Sequence, residues 1–201
     1  EGDRDRDTSL TLLGGRGVFV KAVQEALLDG RADIAIHSLK DMPTEPVAGL
    51  VVGAILPRGD ARDALVASNG RRLAELAAGA RVGTSSLRRA ALLRAIRPDL
   101  EPVEVRGNVD TRLRLVEEGK YDAVLLALAG LVRLDRADAA TQLFDTAEFL
   151  PAPGQGAIAI ECRADDEKTR TLLAATDHAP TRAAVEAERG VLAALGAHGV
   201  L

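Results

Sequence analysis

The chain has 201 residues and 47% hydrophobic content, enough to bury a core as one large domain or two small ones. Its 26 Lys and Arg against 30 Asp and Glu give a formal net charge of -4, which excludes a general nucleic-acid binder, because neutralising phosphates needs a basic surface. The single Cys162 excludes an internal disulfide and a cysteine-cluster metal site and fits a reducing compartment, expected to be the cytoplasm.

The chain opens on Glu1 with no initiator methionine, followed by the charged run Asp3-Arg4-Asp5-Arg6-Asp7, and reads as cut at this end. Gly14-Gly15-Arg16-Gly17 is only superficially a phosphate loop, since it lacks both the Gly-Lys-Ser/Thr ending and a preceding strand. It reads instead as a mobile loop carrying Arg16 and Phe19. Apolar spacing predicts a helix over 18–28 stopped by Gly30, a buried strand over 33–36, and a second strand over 50–56 ended by Pro57 and Gly59. A second alternating unit follows: strand 80–83, helix 87–96, strand 103–106, helix 111–118 and an apolar strand over 121–127. Pro151-Ala152-Pro153-Gly154-Gln155-Gly156 reads as a crossover, followed by a strand over 157–161 and helices over 165–175 and 181–195.

Strands alternating with helices imply an α/β fold with mostly parallel sheets. The two Pro/Gly segments mark its boundaries, and a strand returning after the second gives two α/β lobes joined by a double crossover hinge, with a ligand cleft expected between them. The expected domains are 1–57 with 157–175, and 62–150. No stretch reaches the roughly 20 apolar residues a membrane helix needs, and no basic-then-apolar leader is expected. Phe19, Phe144, Phe149 and Tyr121 are the only aromatics, so base-stacking platforms are not expected either.

Two basic segments follow strand-like runs at helix starts: Thr84-Ser85-Ser86-Leu87-Arg88-Arg89 and Arg106-Gly107-Asn108-Val109-Asp110-Thr111-Arg112. Small hydroxyl residues suit a helix N-terminus, whose free N–H groups attract anions, and arginine forks match carboxylates. Taken singly, each segment also reads as a solvated helix face; as a pair they point to a pocket for a small polyanion. Asp41 follows a buried strand in His37-Ser38-Leu39-Lys40-Asp41-Met42-Pro43, at the strand end where α/β proteins place ligands. It reads either as a group that stabilises a cation or moves a proton, or as a turn former before Met42-Pro43. His37 reads as a packed strand-end histidine. His37, His178 and His198 lack ligand spacing, so no metal is expected. Gln155 offers an amide to a ligand or simply completes a turn.

Taken in order, Gly14-Gly15-Arg16-Gly17-Val18-Phe19-Val20-Lys21, the Asp41 segment, Gly83 with the first basic segment, the second basic segment and Pro153-Gly154-Gln155-Gly156 resemble the porphobilinogen deaminase (hydroxymethylbilane synthase) family. The resemblance covers nearly the whole chain. It implies a cytoplasmic transferase of tetrapyrrole biosynthesis, joining four porphobilinogen molecules into a linear hydroxymethylbilane with release of ammonia, on a covalent dipyrromethane cofactor. It further implies that Asp41 is catalytic, stabilising positive charge on pyrrole nitrogens. Ser38, Lys40, Thr84, Ser85, Ser86, Arg88, Arg89, Arg106, Arg112, Arg133 and Gln155 match positions that hold the carboxylate side chains of cofactor and substrate. A monomer without nucleic-acid or membrane partners is expected.

Two departures stand out. Arg16 replaces the lysine usual in the family loop, and Gly199, in Ala197-His198-Gly199, stands where the family has its cofactor-bearing cysteine. Cys162 matches a different segment. Set against the family, the chain is expected to lack the leading strand and helix of the first domain and most of a third, α+β domain, with 179–201 as its remnant. The expectation is therefore a fragment, inactive as written. The alternative is a non-catalytic, periplasmic-binding-protein-like two-lobed module for a small polycarboxylated ligand.

Overall fold

The computed structural model describes residues 17–196. Arg16 and Gly199 lie outside the described residues, and the Phe19 side chain is outside them too. The described chain forms two compact units. One holds the residues up to Gly59 and from Pro153 onward, the other Asp60–Ala152.

In the first unit, helix α1 (Gly17–Leu28) buries Val20, Gln24 and Leu27, an i, i+4, i+7 stripe that faces the sheet. The sheet consists of β1 (Ile34–Ser38), β2 (Leu50–Ile55) and a later strand, Ile158–Arg163, that pairs antiparallel with both from the centre. β2 carries a bulge at Gly53, where any Cβ would sit 2.6 Å from Leu173 Cδ1 on the helix Glu167–Ala174. Glycine there lets that helix close on the strand.

The second unit contains β3 (Asp63–Ala67), β4 (Arg81–Gly83), α2 (Leu87–Ile96), β5 (Glu101–Val103), α3 (Val109–Glu117), β6 (Ala123–Ala127), α4 (Leu128–Arg133) and β7 (Gln142–Leu143). The strand order is β5-β4-β6-β3-β7. Strand alternation divides its core in two: Leu65, Ala67, Ala123 and Leu125 pack with Leu93 of α2, while Ala64, Val66, Val124 and Leu126 pack with Leu113 and Val116 of α3. Helices therefore cover both faces, which explains why β3 and β6 are apolar without interruption.

The α/β class and the two lobes hold, but the sheets are not mostly parallel: among the described residues the three-stranded sheet is antiparallel and the five-stranded one is mixed. Four of the six strand pairings among the described residues are antiparallel. β3 and β8 (Ile158–Arg163) are the first strands after each passage between the units, and each runs against both of its neighbours. Three of these elements, β3, α4 and β7, were not expected from sequence. The strand expected over 103–106 lies instead at Glu101–Val103 with Pro102 inside it, which an edge strand tolerates because its outer N–H positions have no partner.

The chain closes with α5 (Glu167–Ala174) and α6 (Ala179–Ala194). The stretch expected to open a third domain is, in its described part, α6, which belongs to the first unit. Its Val185 is fully buried with Leu39, Met42 and Ile55.

Candidate functional site

In the first unit the site grows from the end of β1. A 3-10 turn, Leu39–Asp41, follows directly, with Leu39 buried as its anchor and Met42 N donating to Leu39 O at 3.1 Å. Between these anchored residues Lys40 and Asp41 are half-buried, while Ser38 is exposed. Lys40 Nζ lies 3.5 Å from Gln155 Oε1. Gln155 itself is fully buried, and its carbonyl accepts from Arg58 Nε at 2.9 Å, so the structure places it behind Lys40 as a support. Gly154, at φ +72, needs the left-handed region, and a Cβ there would meet Leu39 Cγ at 3.0 Å.

His37 is packed, as expected. Its Nε2 is 3.1 Å from Glu161 Oε2, and Gln24 Nε2 donates to the same carboxylate at 3.0 and 3.1 Å. This buried trio ties α1 to β1 and β8, leaving the ring engaged away from the Asp41 turn.

In the second unit the hydroxyls of the first basic segment build the turn. Thr84 Oγ1 accepts from Ser86 N at 3.2 Å, Ser86 Oγ caps α2 by accepting from Arg89 N at 3.3 Å, and Ser85 Oγ donates to Val105 O. The arginines divide. Arg89 is buried, giving Nε and Nη2 to Asp63 Oδ1 at 3.1 and 2.6 Å and Nη1 to Leu125 O at 3.1 Å. Arg88 donates through Nη2 to Asp63 Oδ2 at 2.8 Å and through Nη1 to Leu150 O. Burial pulls the Arg88 guanidinium below its ordinary value, against the favourable pull of Asp63. Its buried Nε has no acceptor among the described residues.

The second basic segment is shaped by Gly107, at φ +96, where a Cβ would lie 2.6 Å from Thr111 Cγ2. Asn108 caps α3 by accepting from Thr111 N at 2.9 Å. Arg112 Nε donates to Gly107 O at 2.9 Å, and Arg106 Nε meets Glu104 Oε1 at 3.3 Å. Both arginines are half-buried, and Arg133, at the end of α4, is exposed.

Sequence reasoning missed three residues that organise these groups: Asp63 beneath the arginine pair, and Arg58 and Glu188 behind Gln155. Their only sequence signal is charge beside an apolar run, which many surface residues share. Cys162 is fully buried, and burial pushes its thiol up, so it offers no reactive anchor.

The two α/β units have a fold similar to that of two-lobed periplasmic binding proteins. A periplasmic substrate-binding protein of an ABC transporter from Coxiella burnetii matches at TM-score 0.51 and 16% identity, over 83% of this chain and 80% of that one. A Bacillus subtilis lipoprotein matches at TM-score 0.53 and 16% identity, over 81% and 77%.

The sequence is more specific than the fold. The family model described as porphobilinogen deaminase, dipyromethane cofactor binding domain, matches residues 1–171, and the chain belongs to this family. Porphobilinogen deaminase from Leifsonia xyli is 56% identical over 200 residues, 98% of this chain and 60% of that protein. The proteins of the same name from Thermobifida fusca and Brevibacillus brevis are 56% and 52% identical, with 59% and 62% of their lengths matched. The chain thus spans about three fifths of the length of these curated relatives.

Proposed function

We propose that the chain is the cofactor- and substrate-binding part of a hydroxymethylbilane synthase, a cytoplasmic monomeric transferase that condenses four porphobilinogen molecules and releases ammonia at each addition. The family match over residues 1–171, which contains Asp41 and both basic segments, carries the reading.

Expelling ammonia from an aminomethylpyrrole leaves a cation shared with the ring nitrogen. A carboxylate held beside that nitrogen lowers the cost of forming it. Asp41 is the group for this role, because its turn is anchored on both sides by buried Leu39 and Met42. Lys40, steadied by Gln155, sets a positive charge next to it and holds a substrate carboxylate. Arg88, Arg106, Arg112 and Arg133 receive acetate and propionate groups, with Ser38, Thr84, Ser85 and Ser86 shaping the ends of their elements. Arg89 contributes by fixing Asp63, and through it Arg88.

The family cofactor is a dipyrromethane. The donor set fits such a polycarboxylated group: Arg88 holds an unspent buried Nε, and cationic side chains flank the start of α3. When bound, the cofactor supplies the pyrrole end onto which new units are joined. The covalent anchor does not fit, since Gly199 carries no thiol and Cys162 is buried. This chain by itself therefore binds the ligands without retaining a thioether-linked cofactor.

Calorimetry with porphobilinogen tests the reading. Binding that is weakened by Arg88→Ala and by Asp41→Ala supports it, and the absence of any binding by the native chain defeats it. Colour from protein-bound dipyrromethane with Ehrlich's reagent would overturn the statement about the anchor.

A further inference from the structure

Two adjacent residues of α6, Glu188 and Arg189, send their side chains to the two loops that carry the Asp41 site. Glu188 Oε2 accepts from Gly154 N at 2.8 Å, and its carboxylate takes the Arg58 guanidinium, whose Nε donates to Gln155 O at 2.9 Å. Arg189 reaches the other loop. Its Nη1 donates to Met42 O at 3.0 Å and lies 3.5 Å from Leu39 O, and its Nη2 donates to Pro43 O at 2.5 Å.

Those three carbonyls bracket Lys40 and Asp41. Arg189 takes part in none of the ion pairs among the described residues, and burial lowers its pKa. A half-buried guanidinium satisfied by neutral carbonyls is a costly way to stabilise a fold, because the charge loses water without gaining an opposite charge. Met42 N donates to Leu39 O within the turn and Leu39 N donates to Ala157 O at 3.0 Å, while Pro43 has no N–H to give. The planar fork of arginine suits the task, since it can meet several acceptors lying near one plane.

We infer that Arg189 is a positioning residue that clamps the Leu39–Pro43 turn and so fixes where Asp41 and Lys40 are presented. The inference rests on the assignment of Asp41 above, but the clamp is testable apart from it. Amide hydrogen exchange in the native chain, Arg189→Ala and Arg189→Lys reads the turn directly. The expected result is exchange at Lys40, Asp41 and Met42 about tenfold faster in Arg189→Ala, an intermediate rate in Arg189→Lys, and unchanged rates across Ala159–Cys162 of β8. No acceleration at the turn overturns the clamp. Equal acceleration in β8 also overturns it, by showing that Arg189 only stabilises the unit.

A double-mutant cycle on porphobilinogen affinity connects the clamp to Asp41. The penalty of Asp41→Asn should shrink about fivefold in the Arg189→Ala background, and additive penalties would overturn the positioning role. If the native chain binds no porphobilinogen, the functional reading fails, and the exchange result alone decides the clamp.

Discussion

Asp63 and Arg89 are joined by two hydrogen bonds to one carboxylate oxygen, at 2.6 and 3.1 Å, with the Asp63 side chain wholly buried. The second oxygen takes Arg88 at 2.8 Å. One acid at the start of β3 thus orients both arginines of α2, and it converts a tandem pair that reads as two equivalent ligand groups into an inner support and an outer donor.

Removing that acid leaves two neighbouring guanidiniums without the one acid that pairs with them among the described residues. Asp63→Ala should destabilise the protein by about 3–5 kcal/mol, the usual cost of breaking a buried ion pair from one side. Urea unfolding measures it, and a loss below about 1 kcal/mol would contradict the buried pairing.

The Asp177 carboxyl is held below its ordinary range, first by hydrogen bonds from Arg182 at 2.8 and 2.9 Å and further by Ile55 N at 2.7 Å. Because the folded value is depressed, this stability is present above the unfolded carboxylate value near pH ~4 and is lost as pH falls through the lower folded value. Melting temperatures followed from pH ~6 down through ~3 should therefore drop, and Asp177→Asn should make the drop smaller by about 2–4 °C, the shift for ~1 kcal/mol in a chain of this size. Parallel curves for the two proteins would exclude Asp177 as a contributor.

Gly107 combines a left-handed backbone with a Cβ position already filled by Thr111. Gly107→Ala should cost about 1–3 kcal/mol in thermal unfolding. It should also weaken porphobilinogen binding, because Arg112 is anchored on the Gly107 carbonyl. An alanine variant as stable as the native chain would mean the turn accommodates a side chain after all.

Cys162 sits fully buried among Ala54, Ile160 and Leu173. A disulfide-exchange reagent should label the native chain about a hundredfold more slowly than the urea-unfolded chain. Rapid stoichiometric labelling of the folded protein would reopen Cys162 as an anchor.

Where an element carried its own punctuation, local sequence was enough. Helix α2 lies over Leu87–Ile96 as expected, with Ser86 supplying the cap and Ala90 and Leu93 turned inward. Asp41 and Lys40 were readable as a strand-end pair for the same local reason. Helix α4 was not, since it continues the apolar run of β6 without a break. Strand β3 was hidden because it follows directly on the charged stretch 58–62, which reads as the boundary between the two units.

The alternation of strand and helix, the positions of Asp41 and the basic segments, and the family to which they belong were all written in the order of residues, since each depends on neighbours a few positions apart. Which charges look inward emerged only when the chain folded. Arg89 meets Asp63 across 26 residues, Gln155 supports Lys40 across 115, and Arg189 reaches Met42 across 147. Such pairings depend on how strands are ordered and which helix lies over which turn. Chain entropy and burial settle that arrangement for the whole unit at once, so no local pattern records it.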